Sequence, residues 1–196
     1  MRDVLVKTPS GVELIVAGER AQTYRRLADA AGGSRREALS KWFGDFELVI
    51  FDLGAGIGDR VIELARATSL AWLVATPEPT SMADAYATTK RLWSAAPGLE
   101  LELVVNRAHE REEGERTHQA LSRLTQRFLS RRLTLRALLC EDAAMRYSIA
   151  RQIAVVEDAP RSSIARQIEA LAVSLVDERG WNEKSIRPAV PLGVRG

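Results

Sequence analysis

Four short apolar runs, spaced so that a helix fits between most neighbours, constrain this chain more than any other feature. They are Glu47–Leu53, Ala71–Ala75, Leu101–Val105 and Leu135–Leu139. A strand with one wet face alternates apolar and polar residues, whereas a near-continuous run suits a strand buried on both faces, as in a parallel sheet. The intervening stretches carry helical periodicity. Asp59–Ala67 follows the first run, and Met82, Ala85, Thr89, Leu92 and Trp93 fall on one helical face after the second. Leu121, Leu124, Phe128 and Leu129 mark an amphipathic helix, and Ile164, Ile168, Leu171 and Leu175 mark another with Ser162 or Ser163 as its cap. Alternating strands and helices predict an α/β fold with a mostly parallel sheet flanked by helices.

The rest of the chain is read more locally. Val12–Val16 is expected as a short strand after the turn Pro9-Ser10-Gly11. Ala21–Ala31 is expected as a helix, and Ser34 with Glu37 as a capping box for a helix running to about Phe43. Ser81 and Asp84 stand at capping-box spacing, with Thr80 and Ser81 expected to cap the helix that follows. Residues 1–180 are read as one domain and 181–196, with two prolines and two glycines, as a loose tail.

Bulk properties remove several function classes. A net charge of +2, with arginines spread rather than blocked, gives no footprint for nucleic acid, and none is expected as a partner. Cys140 is the single cysteine, so an internal disulfide is excluded and a reducing cytoplasm fits. No apolar run approaches the ~20 residues that span a bilayer. His109 and His118 lack a metal-ligand spacing and are expected at the surface.

In parallel sheets, chemistry gathers where strands end and helices begin. The first such end is Asp52-Leu53-Gly54-Ala55-Gly56-Ile57-Gly58-Asp59. An acidic strand tip holds magnesium, often through water, and glycines let backbone N–H groups approach an anion closely. The residues alone leave three readings open: a tight turn with no ligand, the glycine loop of an S-adenosylmethionine-dependent methyltransferase with Glu78 on the ribose, or a nucleotide-triphosphate site. The remaining ends are Thr76-Pro77-Glu78-Pro79-Thr80-Ser81, Asn106-Arg107, and Cys140-Glu141-Asp142.

Taken together these segments resemble the MinD/ParA type of P-loop ATPase, and within it the FlhG flagellar-number regulators. Asp52, Ala55, Gly56 and Ile57 match the Walker B and switch II pattern Asp-x-x-Ala-Gly-Ile. Ala75–Tyr86 is similar to the family's "TTPEPTSITDAYA" segment, and the resemblance covers roughly Asp3 to Val176. It implies ATP and Mg2+ as ligands, with Asp52, Gly54, Ala55 and Gly56 at the nucleotide and metal end and Asp52 reaching Mg2+ through water. It implies Asn106, Arg107, Glu141 and Asp142 around the adenine, with Cys140 standing where the family has proline. It also implies a nucleotide-dependent homodimer, a signal-recognition-type GTPase and flagellar switch proteins as partners, and a cytoplasmic location with peripheral attachment at the inner membrane. The tail's prolines argue against that attachment.

The family's glycine-rich loop ending in Gly-Lys-Thr is absent from these 196 residues. The expectation is therefore a fold lacking its first strand and Walker A loop, shortened at the front. Losing three charge-assisted hydrogen bonds from a phosphate cradle costs about 5 kcal/mol, a weakening of some thousandfold. ATP binding and hydrolysis by this chain alone are expected to be negligible. The alternatives kept beside this reading are the methyltransferase-like domain and a nucleotide-independent α/β interaction module. The segments 47–53 and 71–75 are expected either to pair with each other or to leave open edges.

Overall fold

The structure, a computed structural model, describes residues 6–8, 10–15, 43–54 and 58–178. The chain divides into two units, Met1–Ile50 with Gly180–Gly196, and Phe51–Arg179. In the first, β1 (Val6–Lys7) and β2 (Glu13–Leu14) form a short antiparallel hairpin with Val6 opposite Leu14. Its turn uses Gly11 at φ +85°, where a side chain would be strained, and the Thr8 hydroxyl donates to Val12 O at 2.8 Å. Of the strand expected over Val12–Val16, Glu13 and Leu14 are in β2, and Val16 lies outside the described residues. The helices expected from Ala21 and from Ser34 lie outside the described residues except at Phe43, which is helical, and so does the tail 181–196.

The second unit runs α1 (Asp59–Ala65), β3 (Leu70–Ala75), α2 (Pro79–Ala95), β4 (Glu100–Ala108), α3 (Arg111–Leu129), β5 (Thr134–Cys140), α4 (Ala143–Arg151), α5 (Val155–Asp158) and α6 (Ser163–Glu178). The strands form one parallel sheet in the order β3–β4–β5. This is the α/β architecture that the apolar runs predict. In β4 every residue from Leu101 to Val105 is buried, which is what a central strand covered on both faces requires. Leu101, Leu103 and Val105 share one core with Ala85, Leu92 and Trp93 of α2 and Leu121 of α3.

The opposite face carries a polar ladder across all three strands. Trp72 Nε1 donates to Glu102 Oε2 at 3.0 Å, and Arg136 Nε lies 3.7 Å from the same oxygen. The Arg136 guanidinium also reaches Ser174 Oγ at 3.0 Å and Glu178 Oε2 at 2.5 Å, both on α6. Its side chain is only 5% exposed, so these partners offset a desolvation cost that an unpaired guanidinium could not bear. They strap α6 to the sheet.

Four expectations are corrected. The run Glu47–Leu53 is not a strand: residues 46–54 form no ladder, and Ile50 is 77% exposed. A parallel strand needs a neighbour for its N–H and C=O groups, and among the described residues β3 pairs only with β4. The first and second runs therefore do not pair with each other. Secondly, α2 starts at Pro79 with Glu78 at its N-cap, so Thr80 and Ser81 lie inside the helix rather than capping it. Proline suits the first helical position, where its missing N–H is not needed. The Ser81 hydroxyl instead accepts from Thr76 N at 2.9 Å, tying the end of β3 to the first turn. Thirdly, Leu124 and Phe128 are 40% and 60% exposed, so the buried side of α3 is Gly114, Thr117, Leu121 and Thr125. Lastly, α4 and α5 appear where no helix was read. The cap expected on α6 is present, with Ser162 Oγ accepting from Ala165 N at 3.2 Å.

Candidate functional site at the C-terminal rim of the sheet

Parallel strands place all their C-terminal ends on one edge, so β3, β4 and β5 deliver Ala75, Ala108 and Cys140 to a common rim. At the tip of β4 the register slips between Asn106 and Ala108. The slip centres on Arg107, which adopts the left-handed conformation at φ 58°. For a residue with a Cβ that conformation costs about 1 kcal/mol, and such bulges re-aim side chains at rims and beside ligand sites. Here the Asn106 carboxamide oxygen accepts from Arg107 N at 3.0 Å. That bond orients the amide and leaves its NH2 group without a hydrogen-bond partner among the described residues.

The bulge also turns Arg107 toward the end of β5. Its Nε and Nη2 donate to Glu141 Oε1 at 3.3 and 3.2 Å, while His109 Nδ1 lies 3.4 Å from Glu141 Oε2. Glu141 N donates to Ala108 O at 2.8 Å, closing the two strand ends together. Asn106, Arg107 and Glu141 are thus brought into one cluster. His109 joins them, a residue placed by the sequence only at the surface. Its 78% exposed side chain agrees with that placement.

Asp142 is close in sequence but differently employed. Its Oδ1 accepts from Ala144 N at 2.9 Å and its Oδ2 from Ile164 N at 3.2 Å, so one carboxylate caps both α4 and α6. The Ala144 and Ile164 amides hold its carboxyl below the usual aspartate range. With both oxygens committed to helix ends, Asp142 builds the wall of the rim. Beside it, the Ser148 hydroxyl donates to Asp158 Oδ2 at 2.8 Å and Arg151 pairs with Oδ1 at 3.0 Å. The Ser148 hydroxyl, then Arg151, lower the Asp158 carboxyl. A signal for this wall existed in the sequence: an aspartate just before Ala143, at N-cap position.

At the other expected end, Asp52 Oδ1 accepts from Gly54 N at 3.1 Å, and Gly54 has φ +67° with open space around it. This is an Asx turn on a partly buried stretch in which Leu53 packs against the core. Ala55, Gly56 and Ile57 lie outside the described residues. Past them, Asp59 at the start of α1 pairs with Arg91 at 2.8 Å, a residue roughly 18 Å along α2 from its rim end at ~1.5 Å per residue. Among the described residues no hydrogen bond or ion pair joins the Asp52–Gly54 turn to the Asn106–Glu141 cluster. Magnesium is commonly held by one or two carboxylates together with phosphate oxygens and water. A single exposed Asp52 fits one such anchor, and among the described residues there is no group of three or more metal-ligating side chains.

No family model matches the chain. It is 32% identical over 172 residues to the antiactivator FleN of Pseudomonas aeruginosa, a stretch that is 88% of this chain and 61% of FleN. The chain therefore spans less than two thirds of that relative. Among solved structures it is similar to the septum site-determining protein MinD of Pyrococcus horikoshii, solved with Mg-ADP, with a TM-score of 0.68 and 21% identity over 91% of this chain and 70% of that one. It is also similar to a ParA family ATPase from Chlorobium tepidum, with a TM-score of 0.62 and 19% identity over 89% and 68% of the two chains.

Proposed function

We propose that this chain is a member of the MinD/ParA-type ATPases and, within them, an FlhG-like regulator of flagellar number or placement, a reading supported by its similarity to FleN and by its MinD-like fold. The observation that carries the reading is the similarity to FleN through most of the chain, joined to a rim cluster of the kind a nucleotide base requires. FleN is described as an antiactivator; this chain, too, restrains an activator. It acts in the cytoplasm, pairs with a second copy when nucleotide lies between them, and works with a signal-recognition-type GTPase and the flagellar switch.

At the rim, the Asn106 NH2 group donates to a ring nitrogen of adenine, an edge that offers both acceptors and a donor. Arg107, held by Glu141, lines the base, and Asp142 fixes the wall behind it. Asp52 anchors magnesium through water when phosphates are supplied beside it. The 196 residues hold no lysine-bearing loop to cradle those phosphates, so the chain alone recognises the base and little else.

Deleting the gene in its source organism and counting flagella in electron micrographs tests the function. Altered number or placement is expected, and an unchanged pattern would overturn it. Nucleotide titrations by calorimetry test the site. MgATP, ADP and AMP should all bind this chain weakly, with Kd no tighter than about 1 mM and no gain from the extra phosphates. Micromolar MgATP binding would refute the base-only account.

A further inference from the structure

The outer side of the α2–α3 helix pair sets exposed apolar side chains beside exposed arginines. On α3, Leu124 and Phe128 stand one turn apart and are 40% and 60% exposed. The Phe128 ring meets Tyr86 of α2 edge-on, with centroids 6.4 Å apart and planes at 72°, so the two helices share an aromatic seam open to water. Beside this apolar row runs a second row one turn apart, Arg123 and Arg127, both exposed, with the Arg127 guanidinium 5.2 Å from the Phe128 ring. From Thr117 to Cys140 the sequence holds five arginines and no aspartate or glutamate. Arg131 and Arg136 are committed, the first stacked on Trp93 at 4.2 Å and bonded to Pro97 O, the second inside the sheet's polar ladder. Among the described residues no carboxylate pairs with Arg123, Arg127 or Arg132.

Neither row is explained by the fold. Like charges at i and i+4 on a helix are mutually destabilising. Arg127 gains from the helix C-terminus, but Arg123 lies before the last turn and does not. Leu124 and Phe128 leave apolar surface in water. A ligand supplying carboxylates and apolar side chains together would relieve both.

We propose that the Tyr86–Leu124–Phe128 seam and its Arg123–Arg127 border form a docking face for an acidic amphipathic helix of a partner protein. The seam lies between two helices, the setting in which a third helix seats its apolar stripe, and the arginines border one side. A second copy of this chain is a poorer occupant. Of the four acids at the start of α3 three are already engaged, Glu110 with Arg116, Glu115 with Arg111 and Glu113 with His109 N, which leaves Glu112 alone to answer two arginines. An anionic membrane would meet the arginines but requires a protruding apolar stripe, and Phe128 instead leans on Tyr86. This face is separate from the rim, so the proposal does not depend on the nucleotide reading.

The test uses the full chain and three probes read by fluorescence anisotropy, flotation and sedimentation. The first is a labelled 18-residue helical peptide with leucine and phenylalanine at i, i+3, i+4 and i+7 and glutamates flanking that stripe, beside a scrambled peptide of the same composition. Micromolar binding of the ordered peptide is expected, about tenfold weaker for the scramble. Phe128→Ala should weaken it about tenfold, and Arg123→Glu with Arg127→Glu should abolish it, while the melting temperature of both variants stays near that of the parent. Equal binding of the two peptides, or no binding, overturns the proposal. Flotation with phosphatidylglycerol vesicles that is lost in the same variants would assign the face to a membrane instead. A parent dimer in sedimentation that the arginine variant dissociates would assign it to a second copy.

Discussion

β4 and the segment 47–53 are nearly alike as sequences and unlike as structures. Leu101–Val105 and Leu48–Leu53 are both strings of leucine, valine, isoleucine or phenylalanine broken by one acid. One is the centre of a sheet, with Leu103 and Val105 fully buried; the other forms no strand and exposes Ile50. The difference is company. β4 has β3 on one edge, β5 on the other, α2 and α3 over one face and α6 strapped toward the other through Arg136. Among the described residues the segment 47–53 has no ladder partner. Apolar character makes a strand possible, but paired edges and covered faces make it exist.

The largest effect that sharpens this contrast is expected at Leu103. It is 0% exposed at the middle of the middle strand, so Leu103→Ala removes buried methyl groups where neighbours on both edges prevent collapse. A loss of about 3 kcal/mol in urea unfolding is expected. A loss below about 1 kcal/mol would mean that β4 is not the anchor of the unit.

Much of that anchor was legible beforehand, because burial on two faces writes itself into a strand as a near-continuous apolar run. Ala71–Ala75, Leu101–Val105 and Leu135–Leu139 all lie within observed strands, but only Leu101–Val105 is buried throughout; Val74 of β3 is 60% exposed and β5 is half-buried, while α2 buries the face that its periodicity marked. The misreadings share one cause: information that a single segment does not contain. Glu47–Leu53 looked like a strand because its neighbours are invisible in its own residues. Thr80 and Ser81 looked like caps, but Pro79 immediately before them takes the first helical position and Glu78 becomes the N-cap. Residues 143–158 gave no periodic signal because α4 buries only Ser148 and leaves Tyr147 and Ile149 in water. At the rim, strand ends pointed to Asn106, Arg107 and Glu141, yet nothing in the sequence marked the bulge that aims them.

A second contrast lies inside the rim, between a carboxylate that holds structure and one that holds a side chain. Asp142 caps two helices, and its amide partners lower its carboxyl. A carboxylate lowered in the folded state contributes stability that is fully present above its unfolded pKa and lost as pH falls through the folded one. Asp142→Ala should therefore destabilise the unit at neutral pH and speed amide exchange at Ala144 and Ile164. The gap between parent and variant should close as pH drops below about 3.9, the ordinary aspartate value, toward the lowered folded value. A gap that persisted there would mean the cap works without charge. Glu141→Gln, by contrast, touches only the surface contacts to Arg107 and His109 and should leave exchange at those two amides unchanged.

The smallest effect is the one that could break the opening comparison. Ile50 is as apolar as any residue of β4 but 77% exposed, so Ile50→Ala uncovers no cavity and removes little surface from a dry environment. Exposed substitutions of this kind fall within about 0.5 kcal/mol, and that is the expected change in urea unfolding. Ile50 and Leu103 then differ severalfold in cost for the loss of a similar side chain. The reasoning fails if Ile50→Ala costs ~2 kcal/mol, because such a penalty arises only when surrounding groups close over the side chain. In that case the segment would have a partner in solution, and the apolar run would be a strand after all.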